Sequence, residues 1–307
     1  MSRKRLIAVL VIAEFVILYA IFSVSGLTAP RGGWSGTALA DTAPHDLAPI
    51  DAGSAPHVIV DDPDSSVTVA ISPDGRVHAS DEWSVHGWIL GSKKRPPELH
   101  ATRTLDGVEV ARASQAWQFV GVIGDEVQRT QVLVPAGTRL EVRNAGGLNV
   151  SGLRGDLVAN LSDGRIVLTD IVTDSIRVHT ADGRIEFHGV KTRNLAASTN
   201  DGRILGEALS VEGSNPTATL QTDSGRIMLG ASFAGGGTYD IHTGDGRIHL
   251  NLPRENDLAI EPNTGDGHVE LDGSRRDGTF NLGAGTGTLR VATGNGDISI
   301  TTNGVVE

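Results

Sequence analysis

Five arginines, Arg165, Arg184, Arg203, Arg226 and Arg247, each stand directly after a glycine and directly before an isoleucine. His268 holds the same place between Gly267 and Val269. A guanidinium presents a rigid fork of donors that matches carboxylate and phosphate bidentately. The leading expectation for arginines recurring at one position of a repeat is a self-neutralised ladder, with the aspartates two residues earlier, Asp163, Asp182, Asp201, Asp245 and, before His268, Asp266, offsetting the cations at modest energetic worth. The sharper reading is a stripe for phosphate or uronate groups of an anionic envelope polymer. Two further histidines, His242 and His249, flank one of the turns. No carboxylate stands at a matching offset for a closed metal geometry, so they are expected to be solvated and no metal or other cofactor is predicted. Calcium binding is not expected either, because the nonapeptide calcium repeat is shorter and richer in glycine.

Those residues sit in a recurring sentence, apolar-x-Thr-x-Asp-Gly-Arg-Ile-x-apolar. It recurs around Ile166, Ile185, Ile204, Ile227, Ile248 and Val269 and closes at Ile298, in steps of 19, 19, 23, 21, 21 and 29 residues. A unit near 20 residues cannot bury a core alone and must stack on its neighbours. After each turn the residues alternate, as in Ile185 and Phe187 or Ile248 and Leu250, and before it they alternate again, as in Ile176 and Val178. Period two describes a strand with one buried face. Each unit is thus two short strands about one turn. The turn residues are Asp163-Gly164, Asp182-Gly183, Asp201-Gly202, Gly225, Asp245-Gly246, Asp266-Gly267 and Asn295-Gly296. Glycine there is expected to supply positive φ, and Asp-Gly also fits an antiparallel hairpin. Recurrence of matching positions once per unit favours a stacked coil over a meander.

The fold class predicted is all-β: a β-solenoid, with single-stranded, β-helix-like coils of about 20 residues, an N-terminal β cap and one preceding transmembrane helix. Residues 1–24 comprise a basic tip, Arg3-Lys4-Arg5, and 19 nearly uninterrupted apolar residues, 6–24. At 1.5 Å per residue that run spans about 28 Å, one hydrocarbon core, with the basic end cytoplasmic. A cleaved signal peptide is the competing reading. Glu14, inside the run, is either a tolerated carboxyl or a contact to a partner helix. Residues 25–56 are rich in Gly, Ala and Pro and read as a flexible stalk, 57–139 as an N-terminal β region capping the coils, and 140–307 as the solenoid with a folded-back terminal cap. Asp106-Gly107 marks a hairpin within the cap region.

Composition narrows the function classes. The chain has 307 residues, 39 of them glycine, no cysteine and a net charge of -11. Disulfides and thiolate metal sites are excluded, and nucleic acid is not an expected partner because its recognition needs a basic footprint. No nucleophile elbow, zinc-protease helix or phosphate loop is present.

The segments VLVPAGTRLEV, TADGRIEF, STNDGRI, QTDSGRI, HTGDGRI and TGNGDISI resemble the bacterial "putative adhesin" family over residues 56–300. The resemblance implies a β-solenoid domain held outside the cell by a membrane anchor, and carries no catalytic residue. The usual Asn-Gly-Asp turn of that family survives here only at Asn295-Gly296-Asp297, arginine replacing the acid elsewhere. The function expected is a binding or scaffolding module of the bacterial envelope, single-pass and extracytoplasmic, not an enzyme, whose partners are the membrane and an anionic envelope polymer or another envelope protein. A polysaccharide-active enzyme on a β-helix scaffold and an envelope-stress sensor are the alternatives.

Overall fold

The computed structural model describes residues 38–41, 44–90, 97–113 and 121–303. The expected membrane span, residues 6–24, lies outside the described residues. Among those described, no helix is long and apolar enough to cross a membrane.

Strand alternation places Ile166, Leu168, Ile185, Phe187, Ile227, Ile248 and Leu250 fully inside, with residues of the same position stacked in register. Every ladder between successive coils is parallel, Ile166 beside Ile185 and Leu168 beside Phe187. A meander would pair neighbours antiparallel, so the stacked coil is the observed arrangement. One sheet is made of the strands that precede the turns, including Val172–Asp182, Lys191–Thr199 and Thr217–Ser224. The other is made of those that follow, including Arg184–His188, Arg203–Val211 and Arg226–Phe233. Their inner faces share one core.

The corner between the sheets explains the recurring turn glycine differently from the sequence expectation. Only Gly164 (φ 121°) and Gly296 (φ 152°) of the turn glycines have positive φ. At the others the constraint is proximity. A Cβ on Gly183 would lie 1.9 Å from the Gly164 carbonyl oxygen, on Gly202 1.8 Å from that of Gly183, and on Gly225 1.7 Å from that of Gly202. No side chain fits where one coil passes over the carbonyl of the next. The repeat's threonine also reaches these carbonyls. Thr180 donates to the Gly164 oxygen (3.1 Å), Thr243 to Gly225 (3.1 Å) and Thr293 to Gly246 (3.0 Å). These threonines are buried, and the bonds supply partners that water cannot.

Both ends of the stack depart from chain order. The strand Thr238–Asp245 pairs with Gly287–Asn295, which in turn pairs with Leu258–Asp266. Likewise Ile248 lies beside Ile298, and Ile298 beside Val269. The last coil in sequence is therefore inserted beneath the one before it. The expected folded-back terminal cap is instead an internal rung, and the outer edge is covered by the short antiparallel strands Ser274–Arg276 and Phe280–Leu282.

At the other end, His57–Ile71 forms a complete coil lying between Arg139–Ser151 on one side and Gly107–Arg112 with Gly121–Val134 on the other. The hairpin expected at Asp106-Gly107 is present, joining Leu99–Arg103 to Gly107–Arg112. The corner of the His57–Ile71 coil has no Asp-Gly. It is filled by a buried ionic cluster in which Arg112 donates to Asp62 (2.8 Å) and Asp81 (3.2 Å), and Thr130 donates to Asp62. The expected stalk needs correction over its second half. Ala38–Asp41 and His45–Asp46 are strands on the edge of His78–Leu90, and Ile50 bridges Val77.

The chain lacks cysteine, so the insertion can be tested directly. Asp240 and Arg290 are paired neighbours, while Asp240 and Glu261 are separated by the inserted rung. At about 4.8 Å per rung the first pair falls within disulfide reach and the second, at about 10 Å, does not. Oxidation of the Asp240→Cys/Arg290→Cys variant should give an intramolecular disulfide, and Asp240→Cys/Glu261→Cys should give none. Stacking in chain order would reverse the two results.

Candidate functional site: the arginine column

Arg184, Arg203 and Arg226 are in direct register on adjacent parallel strands, and Arg165 and Arg247 flank the paired Ile166 and Ile248. The five guanidiniums thus form one column on the outer surface. Arginine follows the corner glycine and precedes the buried isoleucine, so the pleat turns it outward. Strand spacing of about 4.8 Å would crowd five like charges.

Their partners are not the turn aspartates. Asp163, Asp182, Asp201, Asp245 and Asp266 are exposed along the neighbouring position, with Asn295 between Asp245 and Asp266 and donating to Asp245. Among the described residues no ion pair joins any of these aspartates to the column. The expected self-neutralising ladder is not formed. Two other acids act instead, at opposite ends.

Glu186 is the first. It stands at an outward position, between Val167 and Leu205 on the flanking strands, and alternation predicts it exposed. Its side chain is only 5% accessible, covered by Arg165 and Arg184, which both donate to it, with His188 at 3.5 Å. Burial alone would raise its pKa. The hydrogen bonds from Arg165 and Arg184 outweigh burial and hold the carboxyl below the usual glutamate range.

Asp297 is the second. Because the last coil is inserted, the column runs from Arg247 to Asp297 and only then to His268. Asp297 lies 3.9 Å from Arg247 and 2.7 Å from His268. His268 therefore does not continue the cationic run directly, as the sequence order suggests. A cavity of about 290 Å³ opens at this end, lined by Arg226, Arg247, His249 and Asp297 beside the exposed Met228.

Between the two acids, Arg203 and Arg226 are exposed and make no ion pair among the described residues. His242 and His249 lie on different strands either side of the Asp245-Gly246 turn. Among the described residues no group of three or more metal-ligating side chains is assembled. Sequence reading assigned neither acid as a partner of the column, although the final Asn295-Gly296-Asp297 turn already put Asp297 at the arginine position. Nothing in the local pattern distinguishes Glu186 from a solvated residue.

The chain matches the Toastrack DUF4097 family over residues 64–301. It belongs to this family. Solved structures similar to this Toastrack chain include a putative cell adhesion protein from Clostridium sporogenes, at 9% identity and TM-score 0.35, covering 85% of this chain and all of the other. A putative adhesin from Bacteroides fragilis aligns at 9% identity and TM-score 0.39, over 85% of this chain and 96% of its own. No curated protein matches the chain. The matched Toastrack region contains the whole arginine column.

The depressed Glu186 pKa fixes a pH signature. Stabilisation from its ionised form is complete above the ordinary glutamate value of about 4.3 and is lost as pH falls through the lower folded-state value. Glu186→Gln should cost about 1–2 kcal/mol at neutral pH. The gap to the unaltered protein should close in strongly acidic buffer. Denaturant melts at both pH values check this, and a gap that persists in acid would mean that the carboxylate charge is not what stabilises the site.

Proposed function

We propose that this chain is a binding or scaffolding module of the bacterial envelope, displayed outside the cytoplasmic membrane by residues 6–24, and that its arginine column contacts an anionic envelope polymer. The observation that carries this reading is the stacked pair Arg203 and Arg226, exposed and without a carboxylate partner among the described residues, on a column whose other three arginines each contact Glu186 or Asp297. Guanidiniums one rung apart can engage successive phosphate or carboxylate groups of a repeating chain, and several weak contacts on one chain add as avidity. The chain as a whole is acidic, which favours a local contact over general attraction.

Repetition also argues against catalysis. An active site is one convergent constellation, whereas the column presents the same group on successive coils. The basic tip and long apolar run supply the anchor and its orientation. A Glu14 contact to a partner helix would add a sensing role without altering the column.

The full chain in detergent micelles should be retained on immobilised polygalacturonate or poly(glycerol phosphate) at low salt and released as salt rises. Arg203→Gln/Arg226→Gln should abolish most of that retention while shifting stability by no more than about 1 kcal/mol. Arg165→Gln/Arg184→Gln should weaken it less, since those side chains are already engaged by Glu186. Retention unaffected by the first variant, or absent from the unaltered protein, would overturn the reading.

A further inference from the structure

We propose that a second ligand site, separate from the arginine column, runs along the corner where each coil passes into the next, and that it takes a linear uncharged glycan. A groove of about 810 Å³ lies there. It crosses seven successive rungs, from that of Asp106 to that of Glu212, or about 29 Å at 4.8 Å per rung. That length suits an extended chain of several sugars. Gly137, Gly155 and Gly213 line the channel, and at Gly155 the coils approach so closely that a Cβ would lie 2.2 Å from the Thr138 carbonyl oxygen.

The rims carry charge in balance. Arg139 faces Asp106 at 3.5 Å, Lys191 faces Glu212 at 2.5 Å and Arg193 faces Asp174 at 3.6 Å. Asp156 accepts from Thr173 and from the Ser175 amide, and Arg154 has no carboxylate partner among the described residues. A carboxylate only accepts and an ammonium or guanidinium only donates, whereas a hydroxyl does both. A polyhydroxyl chain can therefore serve every member of the groove. A polyanion would meet four carboxylates for its four cations. An extended peptide is disfavoured as well, because the strands crossing the middle of the groove are paired on both edges and offer no free backbone for an added strand. Val172 is the one exposed large apolar side chain along it, too little for a row of side-chain pockets.

The test titrates the full chain, in detergent micelles, with cellohexaose, chitohexaose and maltohexaose, and with hexagalacturonate and an unstructured Ala/Gly-rich peptide as contrasts. At least one neutral hexasaccharide should bind, with an affinity unchanged by salt. Arg154→Ala/Asp174→Ala should weaken it at least tenfold, and Arg203→Gln/Arg226→Gln should leave it intact. Lys191→Ala, on the rung next to that of Asp174, gives the same reading if the double variant folds poorly. The proposal is overturned if none of the three neutral glycans binds, if only the galacturonate or the peptide binds, or if glycan binding survives both groove variants.

Discussion

Each coil crosses the carbonyl oxygen of its neighbour's turn glycine so closely that only another glycine fits beneath it. This contact sets the rest of the structure. It fixes the axial distance at the corner, and with it the register in which isoleucine stacks on isoleucine and arginine on arginine. A slip of one residue would send every core side chain to the solvent face. The buried threonines complete the corner by satisfying the oxygens that the close approach removes from water. At the first complete coil, where no Asp-Gly occurs, the Asp62, Arg112 and Asp81 cluster fills the corresponding corner, the buried guanidinium bridging both carboxylates.

Strict register has an electrostatic consequence. Identical positions stack, so any charge in the repeat is repeated one rung away. The chain relieves this at two points. Glu186 stands at an outward position whose occupant varies from coil to coil, between Val167 and Leu205, and draws in two arginines. Asp297 enters by topology: the final coil slides between two earlier ones and carries an acid into the column between Arg247 and His268. What remains without a carboxylate partner among the described residues is a short cationic step at Arg203 and Arg226, a localised feature on an acidic molecule.

Much of this was written plainly in the sequence. The alternation about each turn gave the buried and exposed faces correctly at Ile185, Phe187, Ile248 and Leu250, and columns of matching residues distinguished a parallel coil from a meander. The arginine column followed from the same reasoning. Illegible were the features that depend on which rung lies next to which. Chain order placed His268 beside Arg247, and only the pairing of Ile298 with both Ile248 and Val269 shows otherwise. Glu186 looked solvated because alternation reports direction and not what folds over a side chain. The role of the corner glycines was misread for a similar reason: sequence suggests backbone conformation, while the deciding contact comes from another coil. The stretch before Pro56 has loop-like composition, yet part of it pairs as strand because the edge of His78–Leu90 is open to it.

The corner contact is tested most directly by comparing Gly202→Ala with Arg203→Ala in equilibrium denaturation. One methyl at Gly202 would fall 1.8 Å from the Gly183 carbonyl oxygen, whereas the Arg203 side chain is exposed. The glycine variant should lose about 2–3 kcal/mol, as overpacking of a tight contact does, and the arginine variant no more than about 0.5 kcal/mol. If Gly202→Ala is tolerated as well as Arg203→Ala, the coils are not held in register by close approach at the corner.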